Sequence, residues 1–414
     1  MNAKLIFLAL GFLSLLLLIR LSLYFGSYQN YPENKLITFE ASVGSLPKIS
    51  PSGQRVSLDL PNSQRITVQF PLDPLLSYAD KVKIQGRVGY FKADNGNKIA
   101  FMNYPEFRII EKRSESNLML KARENIINLF NSSLSPIQSS LMLGIVFGIK
   151  QEMPVDFYDN LQKTGLLHVI AASGMNVAMA GGFLVGLFGL FFKRQLALIL
   201  SIFGILTYAF LAGFEPSIVR ATIMGILVIS AQLFGRQNSS FLGLFAAGTI
   251  MLFLNPSLVF DVGFQLSFMA TLGLIYLRPL FSLNQKLRRL IQKSIIGEDL
   301  TTTISAQIFT LPILLVNFGS YSLISILVNG LLLWTVPILM AIGGLAAITG
   351  LIFEPAGRLI SYLSIPLLIY FEKTVDFFGR INSQFELKNL PVLIICGYYL
   401  LLVSIIWFIR RKRI

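Results

Sequence analysis

The chain has 414 residues, of which 54% are hydrophobic and only 14% are charged. In soluble globular proteins about a quarter of all residues are charged. The composition of this chain therefore excludes an ordinary soluble enzyme and predicts a polytopic helical membrane protein. The 35 basic and 21 acidic residues give a net charge of +14. This excess suits a protein that meets anionic lipid or moves a polyanion, although basic cytoplasmic loops give membrane proteins a similar excess.

The N-terminal third of the chain divides into an anchor and a strand-rich segment. Residues 1–32 hold the apolar run 5–26, which we interpret as an uncleaved membrane anchor because no cleavage site follows it closely. Residues 33–113 alternate with period two, in runs such as RVSLDL and KVKIQGRVGYF. About five short antiparallel strands are therefore predicted, in a small barrel of the oligonucleotide/oligosaccharide-binding (OB) type.

The rest of the chain is predicted to be helical. Residues 114–163 form an amphipathic connector, in which 135–150 are too few to span and would be re-entrant or interfacial. Residues 164–409 form a helical channel domain, and 410–414 are a basic tail. Basic loops face the cytoplasm in membrane proteins, so about ten spans are predicted, with both termini cytoplasmic and the β domain outside.

The stretch TGLLHVIAASGMNV begins an apolar run with unusual polar and small residues. It contains His168, the only histidine, followed by Ser173, Gly174 and Asn176. Small residues allow helices to approach closely, and polar groups inside a membrane mark function more often than in soluble proteins. His168 and Asn176 are therefore either pore-side hydrogen-bonding groups or hydrogen-bond partners between helices, and neither is expected to be a catalyst.

The stretch AGFEPSIVRA predicts a helix start that places an arginine one turn inside an apolar helix. Glu215 and Pro216 begin the helix, and Ser217 is a candidate cap. Arg220 then requires a carboxylate or a phosphate, unless its side chain reaches the near headgroup zone.

Two further segments place polar groups within apolar helices. Asp261 and Gln265 are spaced to share one helix face, and an aspartate there should be paired or line a wet cavity. Gln307, in TTTISAQIFTLP, would line a pore or bond to a neighbouring helix. In the predicted topology His168, Arg220 and Asp261 lie at similar depth, so we predict that they meet at an outer mouth, with Arg220 paired to Asp261.

Motifs for phosphate-cradling loops and serine hydrolases are missing from the sequence. It has no Walker loop, no G-x-S-x-G elbow and no histidine cluster for two metals. We therefore expect no enzymatic activity, no cofactor and no metal in this chain.

The chain resembles the ComEC-type competence proteins, the inner-membrane channels for DNA uptake. TGLLHVIAASGMNV is similar to their signature, and the likeness continues in YAFLAGFEPSIVRATIMG, LNPSLVFDVGFQLSFMATLGLIYL and AQIFTLPILLVNFGSYSLISILVN. Asn176 stands where the signature has a second histidine, and the external cysteine pair of some members is missing. The resemblance covers nearly the whole chain and implies a short form without the C-terminal metallo-β-lactamase-like domain.

The resemblance implies a function and a set of partners. It implies that single-stranded DNA passes through a multi-pass protein of the bacterial cytoplasmic membrane during natural transformation. The partners would be membrane lipid, a DNA receptor, a cytoplasmic ATPase or helicase and a separate nuclease, with a homo-oligomer as an option. Two other functions fit the residues themselves, namely a permease for an anionic small molecule or lipid and a non-transporting membrane scaffold.

Overall fold

The computed structural model describes most of the chain, in two units. The described residues are 3–26, 34–44, 47–50, 53–60, 65–77, 80–92, 98–112, 118–149, 153–170, 174–235, 239–281, 297–322, 324–381, 384–386 and 392–411. The first unit comprises Met1–Asn117 with Phe245–Asp261, and the second comprises Leu118–Leu244 with Val262–Ile414.

Helices dominate the second unit and strands the first. The helices are α1 Ala3–Gly26, α2 Leu118–Ser133, α3 Pro136–Phe147, α4 Val155–Lys163, α5 Leu167–Ile170, α6 Gly174–Phe191, α7 Arg194–Leu211, α8 Pro216–Leu233, α9 Ser240–Leu254, a 3-10 turn Pro256–Phe260, α10 Val262–Tyr276, α11 Arg278–Phe281, α12 Gly297–Phe318, α13 Ser325–Leu332, α14 Thr335–Ile352, α15 Glu354–Tyr362, α16 Ile365–Gly379 and α17 Val392–Arg411. The strands are β1 Leu36–Val43, β2 Lys48–Ser50, β3 Gly53–Asp59, β4 Arg65–Phe70, β5 Lys81–Arg87, β6 Gly89–Lys92, β7 Lys98–Asn103, β8 Glu106–Glu111, β9 Ser320–Ser322 and β10 Gln384–Glu386.

The sheet of the first unit follows the predicted alternation but is open. In β5 the residues alternate strictly between exposed and buried, because successive side chains point to opposite faces. The buried faces include Leu58, Val68 and Ile84. The order is β6-β7-β4-β3-β1-β5-β8, with β2 on β3. The closed OB-type barrel predicted from the sequence was therefore wrong, because no pairing among the described strands joins β6 to β8 and closes the sheet.

Helix α1 packs within the first unit on the segment that contains the 3-10 turn. The Nε atom of Arg20 donates to the carbonyl oxygen of Phe253 at 3.2 Å. The rings of Phe25 and Phe260 meet edge to face, with centroids 5.9 Å apart. Arg20 is thus bonded to a backbone carbonyl near the end of its helix.

Six helices of the second unit are long and apolar enough to cross a membrane. They are Gly174–Phe191, Arg194–Leu211, Pro216–Leu233, Val262–Phe281, Leu300–Asn317 and Thr335–Ile352. Four shorter apolar helices are Gly11–Gly26, Pro136–Phe147, Ser240–Leu254 and Leu393–Ile409. These helices identify the chain as a helical membrane protein. The number of about ten membrane-spanning segments remains a prediction.

Residues 321–334 are strongly apolar, but their described part contains the end of a short strand and a short helix. Helix α12 ends before Gly319, whose φ of 64° is in the left-handed region that glycine adopts readily. The short strand β9 follows and pairs with β10, and α13 then contains only 8 residues. At about 1.5 Å per residue, α13 is much too short to cross a bilayer.

Helix α3 occupies the core of the second unit. All residues from Ser139 to Phe147 are buried, and the helix packs against α2, α14 and α16. A helix that is apolar on every side belongs inside a protein or a membrane, and here protein surrounds it. Ser135 caps its start by accepting from the Gln138 amide, and Gly148, with φ of 66°, ends it.

Glycines bring pairs of long helices into close contact. A β-carbon at Gly181 in α6 would lie 2.9 Å from Cδ1 of Ile205 in α7. A β-carbon at Gly273 in α10 would collide with the backbone carbonyl of Ser305 in α12. Small residues at such crossings allow backbones to approach, which is how helices associate where lipid supplies no hydrophobic driving force.

Candidate functional site

The start of α6 is bound to α3 through a buried asparagine. Asn176 is 1% exposed, and its Nδ2 atom donates to the carbonyl oxygen of Ile145 at 2.7 Å. Ile145 lies in the last turn of α3, where backbone carbonyl groups have no N–H donor within the helix. Asn176 therefore makes a hydrogen bond between α6 and α3.

Tyr208 in α7 extends the same network. Its hydroxyl donates to the carbonyl oxygen of Val146 at 2.7 Å and its ring lies 6.4 Å from that of Phe147, measured between centroids. Its side chain also bonds to Asn176. Two consecutive carbonyls at the end of α3 are thus satisfied by side chains of α6 and α7, which fixes the beginning of α6 in place.

Arg220 lies where the sequence placed it, in the second turn of α8. Pro216 occupies the first turn and Glu215 is the capping residue, without a side-chain cap bond. The proposed cap Ser217 was therefore wrong, because Pro216 shifts the helix start to Glu215 and leaves Ser217 inside the first turn. Arg220 is 7% exposed.

The guanidinium of Arg220 lies between α6 and α10. A β-carbon added to Gly174, the first residue of α6, would lie 2.5 Å from its Nη2 atom. On α10, the ring centroid of Phe268 is 5.9 Å from its Cζ atom, within the range of a cation–π contact. Among the described residues, no acceptor reaches the buried Nε atom. A guanidinium in this arrangement is suited to hold an anion.

His168 and Gln307 are connected through one turn of chain. The Nδ1 atom of His168 is 2.9 Å from the carbonyl oxygen of Gly165, and the imidazole is exposed. Gly165 has a φ of 71° and a β-carbon there would lie 2.7 Å from that of Ser325. Gln307 donates from Nε2 to the Ser325 hydroxyl at 3.1 Å. The turn before α5 thus packs closely on Ser325 at the start of α13, and the hydroxyl of Ser325 joins α13 to α12.

The remaining site residues predicted from the sequence are Asp261, Gln265 and Ser173. Asp261 lies between the 3-10 turn and α10 in an extended conformation, with φ of −75° and ψ of 120°. The prediction that Asp261 and Gln265 share one face of a helix was wrong, because α10 begins only at Val262. Gln265 is half-buried on α10. The predicted Arg220–Asp261 pair joins residues of different units and remains a prediction. Ser173 lies outside the described residues.

Sequence reasoning missed Tyr208, Phe268, Gly165 and Ser325. Tyr208 had a usable signal, since a phenolic hydroxyl in an apolar helix needs a hydrogen-bond partner. Phe268 had none, because one phenylalanine among 34 carries no mark of a neighbouring cation. The described residues contain no group of three or more His, Cys, Asp or Glu side chains that could hold a metal ion.

Comparison with known proteins gives two curated relatives. The chain is 29% identical over 215 residues to "ComE operon protein 3" of Bacillus subtilis (strain 168), which is 52% of this chain and 27% of the relative. It is 28% identical over 257 residues to an uncharacterized protein of Aquifex aeolicus (strain VF5), 62% of this chain and 59% of that relative. The matches thus cover less than two thirds of either relative.

The model of the Competence protein family matches residues 145–412, which include α6, α8, α10 and the contacts of Arg220. Because this match extends over more than half of the chain, the chain belongs to the Competence protein family.

Proposed function

We propose that the chain is the membrane conduit through which single-stranded DNA enters the cytoplasm during natural transformation. The observation that carries the proposal is the buried guanidinium of Arg220, whose Nε atom has no acceptor among the described residues, in a helix bundle of the Competence protein family. A charge inside a membrane bundle is costly and marks a path for a charged substrate.

The chemistry of the substrate follows from that charge. Guanidinium groups bind phosphate oxygens in paired, charge-assisted hydrogen bonds, and a nucleic acid presents one phosphate per nucleotide. The net charge of +14 favours a polyanion at longer range. His168, Gln265 and Gln307 would supply hydrogen-bonding groups along the path, and Ser173 with Gly174 would shape its beginning.

The proposed setting is the bacterial cytoplasmic membrane. About ten spans would place both termini in the cytoplasm and the β domain outside, where it would meet DNA delivered by a receptor. A cytoplasmic ATPase or helicase would drive the strand, and a separate nuclease would remove its complement. Membership of the Competence protein family supports this setting.

Uptake of labelled DNA tests the proposal. In a competent host, a deletion strain is compared with strains supplied with wild type, Arg220→Ala or Arg123→Ala. Arg123 lies in α2 and its Nε atom is also buried without an acceptor among the described residues, but it is outside the region that the family model matches. We expect uptake to be lost on deletion and restored by wild type and Arg123→Ala but not by an equally abundant Arg220→Ala variant. Unchanged DNA entry in the deletion strain would refute the conduit, and the permease for a small anion or lipid would then be tested by flux.

A further inference from the structure

We propose that Arg220 and the N-terminus of α6 form a single binding site for one phosphodiester group of the passing strand. This inference rests on the proposed function and adds the atoms that recognise the substrate. The site would consist of the Arg220 guanidinium and the first backbone N–H groups of α6, with Gly174 between them.

The geometry brings the two positive groups to one point. Gly174 is the first residue of α6, an 18-residue helix, and the Nη2 atom of Arg220 lies 2.5 Å from the position of its missing β-carbon. The guanidinium therefore touches the α-carbon face of the first helical residue. Any side chain at residue 174 would occupy that space.

The electrostatics of this contact are unfavourable without an anion. The first N–H groups of a helix lack intrahelical acceptors and act as a partial positive charge of about half a unit. A full positive charge held beside them, 7% exposed, repels them in a medium of low dielectric constant. A phosphate that contacts both groups reverses the sign of both interactions, and helix N-termini are frequent phosphate sites.

The surroundings of Arg220 leave its donors available. Phe268 contacts the guanidinium through its ring, which offers no hydrogen-bond acceptor of the strength of an oxygen anion. The buried Nε atom has no acceptor among the described residues. A phosphodiester can accept from the guanidinium and from the helix backbone at the same time, as a bidentate oxyanion.

The salt dependence of DNA binding measures this contact. The full chain in lipid nanodiscs is titrated with a fluorescent single-stranded oligonucleotide over a range of KCl concentrations. Each phosphate contact to a single strand contributes about 0.7 to the slope of log K against log salt. We expect Arg220→Gln to lower the slope by about 0.7 and Arg123→Gln, which removes the same charge from α2, to leave it unchanged.

Two further variants guard against misfolding. Gly174→Ala keeps the net charge but displaces the guanidinium from the helix end, so it should lower the slope as Arg220→Gln does. Arg220→Lys retains a charge and should restore part of the slope. An oligonucleotide with a neutral methylphosphonate backbone should bind wild type and Arg220→Gln equally.

The outcomes separate this site from the proposed function. Arg220→Gln and Gly174→Ala could both show the wild-type slope in a chain that binds DNA and supports uptake. That result would refute the phosphate site and leave the proposed function standing. Wild-type slopes together with strong coupling between Arg220→Gln and Asp261→Asn in thermal unfolding would assign the guanidinium to an internal carboxylate, which also overturns it. Failure of the proposed function would instead be seen as undiminished DNA entry in the deletion strain.

Discussion

Gly174 and Arg220 are in contact across α6 and α8, with the Nη2 atom of the arginine 2.5 Å from the place of the missing glycine β-carbon. This relationship links two motifs that are 46 positions apart in sequence, counted from 174 to 220. Because the guanidinium occupies the space that a side chain at residue 174 would need, any substitution of Gly174 also disturbs Arg220.

Enlarging Gly174 is expected to damage the protein more than replacing His168. Gly174→Leu would drive a side chain into the Arg220 guanidinium and cost about 1–3 kcal/mol, as overpacking usually does. His168→Gln changes an exposed side chain with one hydrogen bond to the Gly165 carbonyl. Membrane accumulation and the thermal midpoint in detergent measure the difference. Normal accumulation of Gly174→Leu would contradict the close contact.

Removing the hydroxyl of Tyr208 should weaken the junction of α3 with α7. Tyr208→Phe leaves the carbonyl of Val146 without its donor and is expected to cost about 1 kcal/mol. Asn176→Ala should cost about 1–3 kcal/mol for the same reason at Ile145. The two changes should be non-additive in thermal unfolding followed by tryptophan fluorescence, because the side chains are bonded to each other. Full additivity would show that the two bonds act independently.

A methyl group at Gly273 should separate α10 from α12. The β-carbon of Gly273→Ala would lie 3.0 Å from the carbonyl carbon of Ser305 and closer still to its oxygen, and a backbone carbonyl has no rotamer to change. We expect a loss of about 2 kcal/mol or more. Gly186→Ala in α6 is the matched control, since no atom lies within 4 Å of its β-carbon position and helix propensity favours alanine by up to about 1 kcal/mol. Equal thermal midpoints for the two variants would contradict this packing.

The β domain should show a small dependence on pH through Lys81 and Glu111, which pair β5 with β8 at 2.7 Å. The hydrogen bond and charge of Lys81 lower the pKa of Glu111, and those of Glu111 raise the pKa of Lys81. Their stabilisation is therefore complete between the ordinary values of 4.5 and 10.5, and is lost as pH falls through the lowered pKa of Glu111 or rises through the raised pKa of Lys81.

Hydrogen exchange of the β5 and β8 amides, measured on the full chain, tests the ion pair. Both side chains are more than 60% exposed, at 62% and 65%, so solvent screens the pair and the effect should be slight. Glu111→Gln should reduce the loss of protection between neutral and acidic pH, and high salt should have the same effect in wild type. An acid loss of protection identical in wild type and Glu111→Gln would exclude the pair as its source.

Secondary-structure elements were easier to predict from the sequence than the contacts between them. Period-two alternation predicted strands such as β5, and the Glu215-Pro216 pair predicted the start of α8, because both signals are local. Closure of the sheet depends on which edge strands meet, and a parallel β4–β7 pairing leaves no trace in local alternation. The open sheet was therefore beyond prediction from the pattern.

The candidate site shows the same division. Arg220 was identified because a charge in an apolar helix is visible in one sequence, whereas its neighbours Gly174 and Phe268 come from other helices. The assignment of Asp261 to a helix failed because a 3-10 turn precedes α10. The Asn255 side chain caps this turn by accepting from the Ser257 amide, and α10 begins only after it. Such a turn depends on a few local hydrogen bonds that hydrophobic periodicity does not report.

Photo-crosslinking of incoming DNA at residue 268 tests the central claim most directly. A benzophenone amino acid replaces Phe268, beside the guanidinium of Arg220, or Phe203, which is 63% exposed on α7, in cells taking up labelled DNA. A strand that passes Arg220 should crosslink at residue 268 and not at residue 203, and Arg220→Ala should abolish the crosslink. DNA entering at the normal rate without a crosslink at residue 268, or with equal crosslinks at both residues, would contradict a path past Arg220.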